Sequence, residues 1–191
     1  MNDVTSELTV SPDATVGMSY DPESSPPEIG PDSVIRSGTV IYDDVVAGES
    51  LQTGHNALIR ELTTLGANCL IGTNAVVDGR SDLGDGVSLQ TGAYVPSETT
   101  LGDRVFLGPH ATLLNDPYPV RKDADLTGPV VESDASIGAN STVLPGVTVG
   151  KGAFVAAGSI VTNDVPERTL AVGNPAEKRP LPDELDGGNN L

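Results

Sequence analysis

Aliphatic residues recur at every sixth position over most of this chain. From Ile29 the series reads Ile35, Ile41, Ala47, Thr53, Ile59, Leu65, Ile71, Val77, Leu83, Leu89, Val95, Leu101, Leu107 and Leu113. It resumes at Val131 and continues through Ile137, Val143, Val149, Val155 and Val161. Four residues after most of these stands a small or β-branched residue, as at Ser33, Thr39, Val45, Ala57, Cys69, Ala75, Val87 and Ala93. Gly, Asp and Asn crowd the positions between, as in Leu65-Gly66-Ala67-Asn68 and Leu83-Gly84-Asp85-Gly86. Neither a helical period of 3.6 nor simple alternation holds this phase. The pattern predicts an all-β fold, a parallel β-helix wound from one chain of hexapeptide repeats. Each hexad supplies a short strand with its aliphatic side chain turned inward. A turn follows, in which Gly or Asn takes the left-handed conformation at little steric cost. Three hexads close one triangular coil, and coils stack at about 4.8 Å, the ordinary strand spacing. Spacing alone does not set the hand of the coil.

Three interruptions divide the chain. Residues 1–9 are polar and read as a flexible N-terminus, and the β-helix domain is expected over 10–166. Val10 and Val16 open two hexads before Asp21-Pro22-Glu23-Ser24-Ser25-Pro26-Pro27 leaves the coil, so a loop is expected at 21–28. A second, longer excursion is expected at 115–129, where Pro117, Pro119 and several charges break the phase. The repeat stops after Pro166, and 167–191 read as a C-terminal cap and tail, with a short helix possible between Arg168 and Asp186. Terminal coils need such caps because they otherwise expose strand edges.

Composition sharpens this picture. Aromatics make up only 3% of the 191 residues and Trp is absent, which suits a core of stacked aliphatics. Twenty-two Gly and 15 Pro argue against long helices. The formal net charge of −17 repels nucleic acid, and no basic patch offsets it. Asp dominates the acids, and Lys occurs only at 122, 151 and 178. Such a surface resembles those of salt-in halophiles, whose cytoplasm screens the self-repulsion. A single Cys excludes an intramolecular disulfide and a multi-Cys zinc site. No apolar run approaches the roughly 18 residues of a membrane span. The N-terminus shows neither a basic start nor an apolar stretch, so a cytoplasmic protein is expected.

Beyond the hexads, three segments carry a family resemblance. They are Leu114-Asn115-Asp116-Pro117-Tyr118-Pro119, the run Ala153-Phe154-Val155-Ala156-Ala157-Gly158-Ser159-Ile160-Val161-Thr162-Asn163-Asp164-Val165-Pro166, and Ala171-Val172-Gly173-Asn174-Pro175-Ala176. Together they resemble the hexapeptide-repeat acyltransferases with a left-handed β-helix, over about residues 10 to 181. The branch most resembled N-acetylates amino sugars on nucleotide carriers, of the UDP-2-acetamido-3-amino-glucuronate acetyltransferase type. The resemblance implies a homotrimer, with acetyl-CoA as co-substrate in the cleft between neighbouring β-helices and a sugar nucleotide as acceptor. Neither nucleic acid nor membrane is expected as a partner, and no metal is required.

Phase arithmetic locates the polar side chains. The hexads from Thr53, Ile71, Leu89 and Leu107 share one face, so His55 with Asn56, Thr73 with Asn74, Thr91 with Gly92 and Pro109 with His110 should stack in one column. His55 and His110 then lie three coils apart, roughly 14 Å along the axis. Acyl transfer from a thioester needs a proton acceptor for the attacking group and a donor for the oxyanion. His110 is a candidate base, since imidazole titrates near neutrality; the alternative is a turn residue bonded to a neighbouring coil. His55 is a further catalytic candidate with the same alternative, or with packing at a trimer interface. Asn115 matches the loop asparagine that the amino-sugar branch sets beside its acceptor. It would orient the amine or stabilise the oxyanion, or else open the loop through an Asx-turn. Asn74 and Gln90 near the column, and Asp116, Tyr118 and Arg121 in the loop, are candidate substrate contacts. Arg suits a bidentate grip on carboxylate or phosphate. Gly138, Ala139, Ala156 and Ala157 are small enough to let a pantetheine chain approach the backbone. The resemblance sets Lys178 and Arg179 near the CoA phosphates.

One departure bears on chemistry. Sugar O-acetyltransferases of the maltose and galactoside type carry a catalytic His before a Pro in this loop, where this chain has Tyr118-Pro119. A hydroxyl needs a stronger base than an amine, so N-acetylation is favoured, with O-acetylation the alternative. Cys69 falls on an inward position and reads as core, which implies direct transfer without an acyl-enzyme. The carbonic anhydrases of the same fold need three His on zinc, and this chain has two. A noncatalytic hexapeptide scaffold is the remaining alternative.

Overall fold

The structure, a computed structural model, describes residues 7–191. It is a left-handed parallel β-helix whose three faces are sheets of mostly two-residue strands: sheet A with ten strands, sheet B with eight and sheet C with seven. Three inward ladders follow from the hexad phase. Ile35, Thr53, Ile71, Leu89, Leu107, Ile137, Val155 and Ala171 line sheet A, and Ile41, Ile59, Val77, Val95, Leu113, Val143 and Val161 line sheet B. Ala47, Leu65, Leu83, Leu101, Val131 and Val149 line sheet C, and Val165 extends them through an isolated bridge to Val149. All are buried, and each large aliphatic contributes about 1.5–3 kcal/mol by leaving water. Thr53, the polar member, is satisfied by Thr39 Oγ1 at 3.0 Å and by the N–H of Arg36 at 2.9 Å.

Each corner holds one residue in the left-handed region, at Asp44, Ser50, Asn56, Leu62, Asn68, Asn74, Arg80, Gly86, Gly92, Glu98, Arg104 and His110. The repeat of this position every sixth residue makes the coil triangular. Most partners on adjacent coils are 18 residues apart, as Leu51 and Ser33 are. Across the long excursion the spacing is 30, as between Asp103 and Ser133, so that coil carries the whole insertion at the corner between sheets B and C. The earlier loop leaves the same corner.

Several expected boundaries shift. Of the N-terminal 1–9, residues 1–6 lie outside the described residues, and Thr9 already pairs with Val34 in the strand Thr9–Val10. The loop expected at 21–28 ends one residue earlier, because Glu28 opens the strand Glu28–Ile29 and pairs with Val46. Pro166 does not end the sheet pairing. Val149 bridges Val165, and Phe154 pairs with Leu170, through a final coil two residues short. The strand Thr169–Val172 therefore continues sheet A, and Glu177–Pro180 turns back on it antiparallel. In place of a helix there is one 3-10 turn, Asp183–Leu185. The tail beyond it crosses sheet A, where the Asn189 amide donates to the carbonyls of Arg104 (2.8 Å), Asp134 and Ala135 (both 3.3 Å) and accepts from Ser136 Oγ (3.0 Å).

Candidate functional site

The corner between sheets A and B carries the stacked column that the phase required. Asn74 N–H donates to the His55 carbonyl, Gly92 N–H to Thr73, His110 N–H to Thr91 and Asn140 N–H to Pro109, each at 2.9 Å. Gly158 N–H extends the series to Ala139 at 2.8 Å. His55, Asn74, His110, Gly138, Ala139, Ala156 and Ala157 therefore share one edge of the prism. Gln90 stands half-buried at the start of this corner and donates from Nε2 to Ser88 Oγ at 2.9 Å.

His110 occupies the left-handed turn position, with φ of 58°. Its side chain is exposed and its imidazole leans over the preceding coil, where a Cβ on Gly92 would collide with Nδ1 and Cε1. Gly92, itself at φ of 70°, thus makes room for the ring. Neither ring nitrogen of His110 is engaged by a side chain among the described residues. Beyond it the exposed Asn140 takes the same turn position on the next coil, and the remaining corner residues are small. Ala139, Ala156, Ala157 and Gly158 succeed one another, and no atom stands within 4 Å of a Cβ built on Gly158. This strip can receive an extended, flexible chain along the helix axis.

Asn115 sits on the next corner, between sheets B and C, with sheet B separating it from His110. Its Nδ2 donates to both the carbonyl and the Oγ of Ser97 on the preceding coil, at 3.0 Å each. The amide nitrogen is thereby turned toward Ser97, which leaves Oδ1 as an acceptor on the other side. The Asx-turn that opens the loop belongs instead to Asp116, whose Oδ1 accepts the N–H of Tyr118 at 2.8 Å. Thr127 N–H closes the excursion onto the Asn115 carbonyl at 2.8 Å. Within the loop, Lys122 Nζ lies 4.3 Å from the centre of the Tyr118 ring. Asp116, Arg121 and Lys122 share an open hollow of about 420 Å³.

Lys178 and Arg179 lie exposed on the antiparallel C-terminal strand, opposite Ala171 and Leu170, and Arg179 is 3.5 Å from Glu177. Since Ala156 N–H bonds to the Ala171 carbonyl, this strand adjoins the bare end of the His110 column. Cys69 is buried, and burial pushes its thiol up to about 11, which keeps it protonated and unreactive at neutral pH. The residues that the sequence reading passed over are Tyr42, Arg60, Asp78 and Tyr94, which converge near the corner between sheets B and C. The 18-residue spacing of Tyr42, Arg60 and Asp78 was the signal that could have revealed them.

Comparison with known proteins agrees with this architecture. Residues 128–163 match the bacterial transferase hexapeptide (six repeats), and residues 63–97 match the hexapeptide repeat of succinyl-transferase. Over those two segments the chain is thus similar to hexapeptide repeats of bacterial transferases. It is 58% identical over 48 residues to a 2,3,4,5-tetrahydropyridine-2,6-dicarboxylate N-acetyltransferase from Staphylococcus aureus, covering 25% of this chain and 20% of that protein. It is 40% identical over 79 residues to a putative acetyltransferase from Schizosaccharomyces pombe, covering 38% of each. The chain therefore spans well under half the length of these curated relatives. In fold it is similar to a UDP-N-acetylglucosamine acyltransferase from Bacteroides fragilis, with a TM-score of 0.59 at 17% identity, over 90% of this chain and 74% of that one.

Proposed function

We propose that this protein is an acetyl-CoA-dependent N-acetyltransferase that works as a homotrimer and acetylates the amine of an amino sugar on a nucleotide carrier. The observation that carries the reading is the edge between sheets A and B, where the exposed imidazole of His110 heads a strip of small residues interrupted by Asn140. In this reading the pantetheine lies along Gly138, Ala139, Ala156 and Ala157, and Lys178 and Arg179 meet the CoA phosphates. The amine nitrogen attacks the thioester carbonyl, and His110 takes the proton released as the C–N bond forms. The C–S bond then breaks and the thiolate leaves, to be protonated in turn. The Asn115 Oδ1 accepts an N–H of the amine and so directs its lone pair. The curated relatives named as acetyltransferases support the transfer, and the buried, protonated Cys69 supports a direct one.

A separation within one chain supports a site shared between copies. His110 leans toward Gly92 on one corner, whereas Asn115 is tied to Ser97 on the next. Five steps of near-extended chain, about 16 Å, separate them. A site using both is completed when a second copy brings its Asn115 loop against the first copy's His110 edge. The test is release of CoA from acetyl-CoA in high-KCl buffer, suited to the halophilic, cytoplasmic setting this acidic surface fits. The acceptor panel holds nucleotide-linked amino sugars, their hydroxyl counterparts and an amino dicarboxylate. Turnover with amino sugars is expected. Turnover only with hydroxyl acceptors would move the reading to O-acetylation, and no acetyl-CoA binding at all would leave a noncatalytic scaffold.

A further inference from the structure

The chain has four tyrosines, and two of them flank a fixed arginine on one face of the prism. Glu61 is buried, and its carboxylate takes Arg60 Nε at 3.1 Å and Nη2 at 2.8 Å. Asp78 Oδ1 accepts from Nη1 at 3.1 Å. The Arg60 guanidinium lies 5.6 Å from the centre of the Tyr42 ring, which backs it. Tyr94, which burial and then Asp78 keep protonated beyond its ordinary range, donates its hydroxyl to Asp78 Oδ2 at 3.0 Å.

Donor counting shows what this arrangement leaves over. Arg carries five N–H groups. Three are used, so one N–H on Nη1 and one on Nη2 remain, on a side chain still 38% exposed. Beside Arg60 and Asp78 runs an apolar strip on sheet B, formed by the half-buried Leu58, Val76 and Tyr94 on three successive coils. A flat apolar strip with a rim of paired donors and carboxylate acceptors matches a sugar ring, which has a C–H face and a hydroxyl edge. Two carboxylates against one guanidinium leave the rim net negative, which disfavours a phosphate and suits neutral or aminated rings. The same corner carries Ser97 and Asn115 on the next coils, linked through Arg80 and Glu98 backbone bonds.

We propose that Leu58, Val76, Tyr94, Arg60 and Asp78 form a carbohydrate subsite for a neutral or amino hexopyranose ring. The ring lies on the strip, its hydroxyls accept from the two remaining N–H groups of Arg60, and a hydroxyl or ammonium donates to Asp78. Its purpose rests on the acetyl-transfer reading, in which it grips the sugar ring by an edge other than the one that carries the reacting amine. The binding itself does not depend on transfer.

The test is a titration of the full chain, with ring-labelled tyrosines followed by NMR, using methyl glucoside and methyl glucosaminide as probes. The expected result is saturable shifts confined to Tyr94 and Tyr42 at millimolar sugar, with affinity reduced about tenfold or more in Tyr94→Ala and Asp78→Asn. Acetyl-CoA binding should be unchanged in both variants, which separates this subsite from the transfer reading. Since Arg60→Met strips Glu61 of its partner, the milder Tyr94→Phe serves as the folded control and should retain part of the affinity. Absence of tyrosine shifts in the folded wild type would overturn the proposal. So would dissociation of the oligomer by Tyr94→Ala without any sugar response, which would make this face a contact between copies of the chain.

Discussion

The two ends of the candidate site depend on single side chains held by the preceding coil. His110 stands where it does because Gly92 has no Cβ, so Gly92→Ala tests its placement without touching the imidazole. At φ of 70° the new residue is strained by about 1–2 kcal/mol, and the ring must swing away. If His110 is the base, CoA release should fall about a hundredfold, as in His110→Ala, while the oligomer persists. Both substitutions leaving turnover within about twofold would remove His110 from the mechanism. Asn115→Ala should also lower kcat, and Ser97→Ala, which removes one of the two acceptors of the amide, should lower it less; His55→Ala should matter least. A different residue pair governs acid sensitivity. Arg104 donates from Nε and Nη2 to Asp134 at 2.8 and 2.9 Å, and this holds the Asp134 carboxyl below its ordinary range. A lowered folded-state value means the pair stabilises above the ordinary carboxylate pKa of about 4 and is lost as pH falls through the lowered one. Asp134→Asn should therefore lower Tm near neutral pH, and the difference from wild type should close in acid.

At the scale of elements, the excursion is an addition to a coil that can close without it. Thr100 pairs with Val130, Phe106 with Ser136 and Thr112 with Thr142, so the ladders run past the loop undisturbed. Deleting residues 116–127 returns this coil to the common 18-residue spacing, with Asn115 joined to Gly128. The shortened chain should fold with its Tm within a few degrees of wild type and should still bind acetyl-CoA, yet lose transfer. Thermal unfolding and calorimetry check the two halves, and loss of the fold would show that the loop is structural. The same regularity made most of the architecture legible. One inward aliphatic per hexad states the period directly, and the period fixes which residues stack, so the column through His55, Asn74 and His110 could be read before any coordinates. What escaped were features that depend on partners rather than on period. The bridge from Val149 to Val165 shortens the last coil by two residues, a slip that shifts Ala171 onto Val155 and hides sheet A's continuation behind Pro166. The partner of Asn115 is Ser97, an unremarked residue 18 positions earlier, whose carbonyl decides which end of the amide stays free. Arg60 escaped the period because the carboxylate that fixes it is its own sequence neighbour, turned inward by the corner.

For the whole molecule, the charge of −17 and the divided site make separate demands. Self-repulsion among surface carboxylates is screened over about 10 Å at 0.1 M salt and about 3 Å at 1 M. Tm should therefore climb as KCl rises through this range, and a flat response would remove the halophilic reading. Assembly can be tested by complementation. His110→Ala and Asn115→Ala chains, each inactive alone, are mixed, unfolded and refolded together. If a site takes His110 from one copy and Asn115 from its neighbour, every mixed trimer contains one interface at which both residues are native. Random assembly from equal amounts makes about three quarters of the trimers mixed, each with one working site in three, so about a quarter of wild-type turnover should return. If both residues serve from the same chain, every site lacks one of them whatever the mixture, and no activity returns. Recovery would locate the reaction between copies and explain why a single prism carries its proton acceptor and its amine-directing oxygen on different edges.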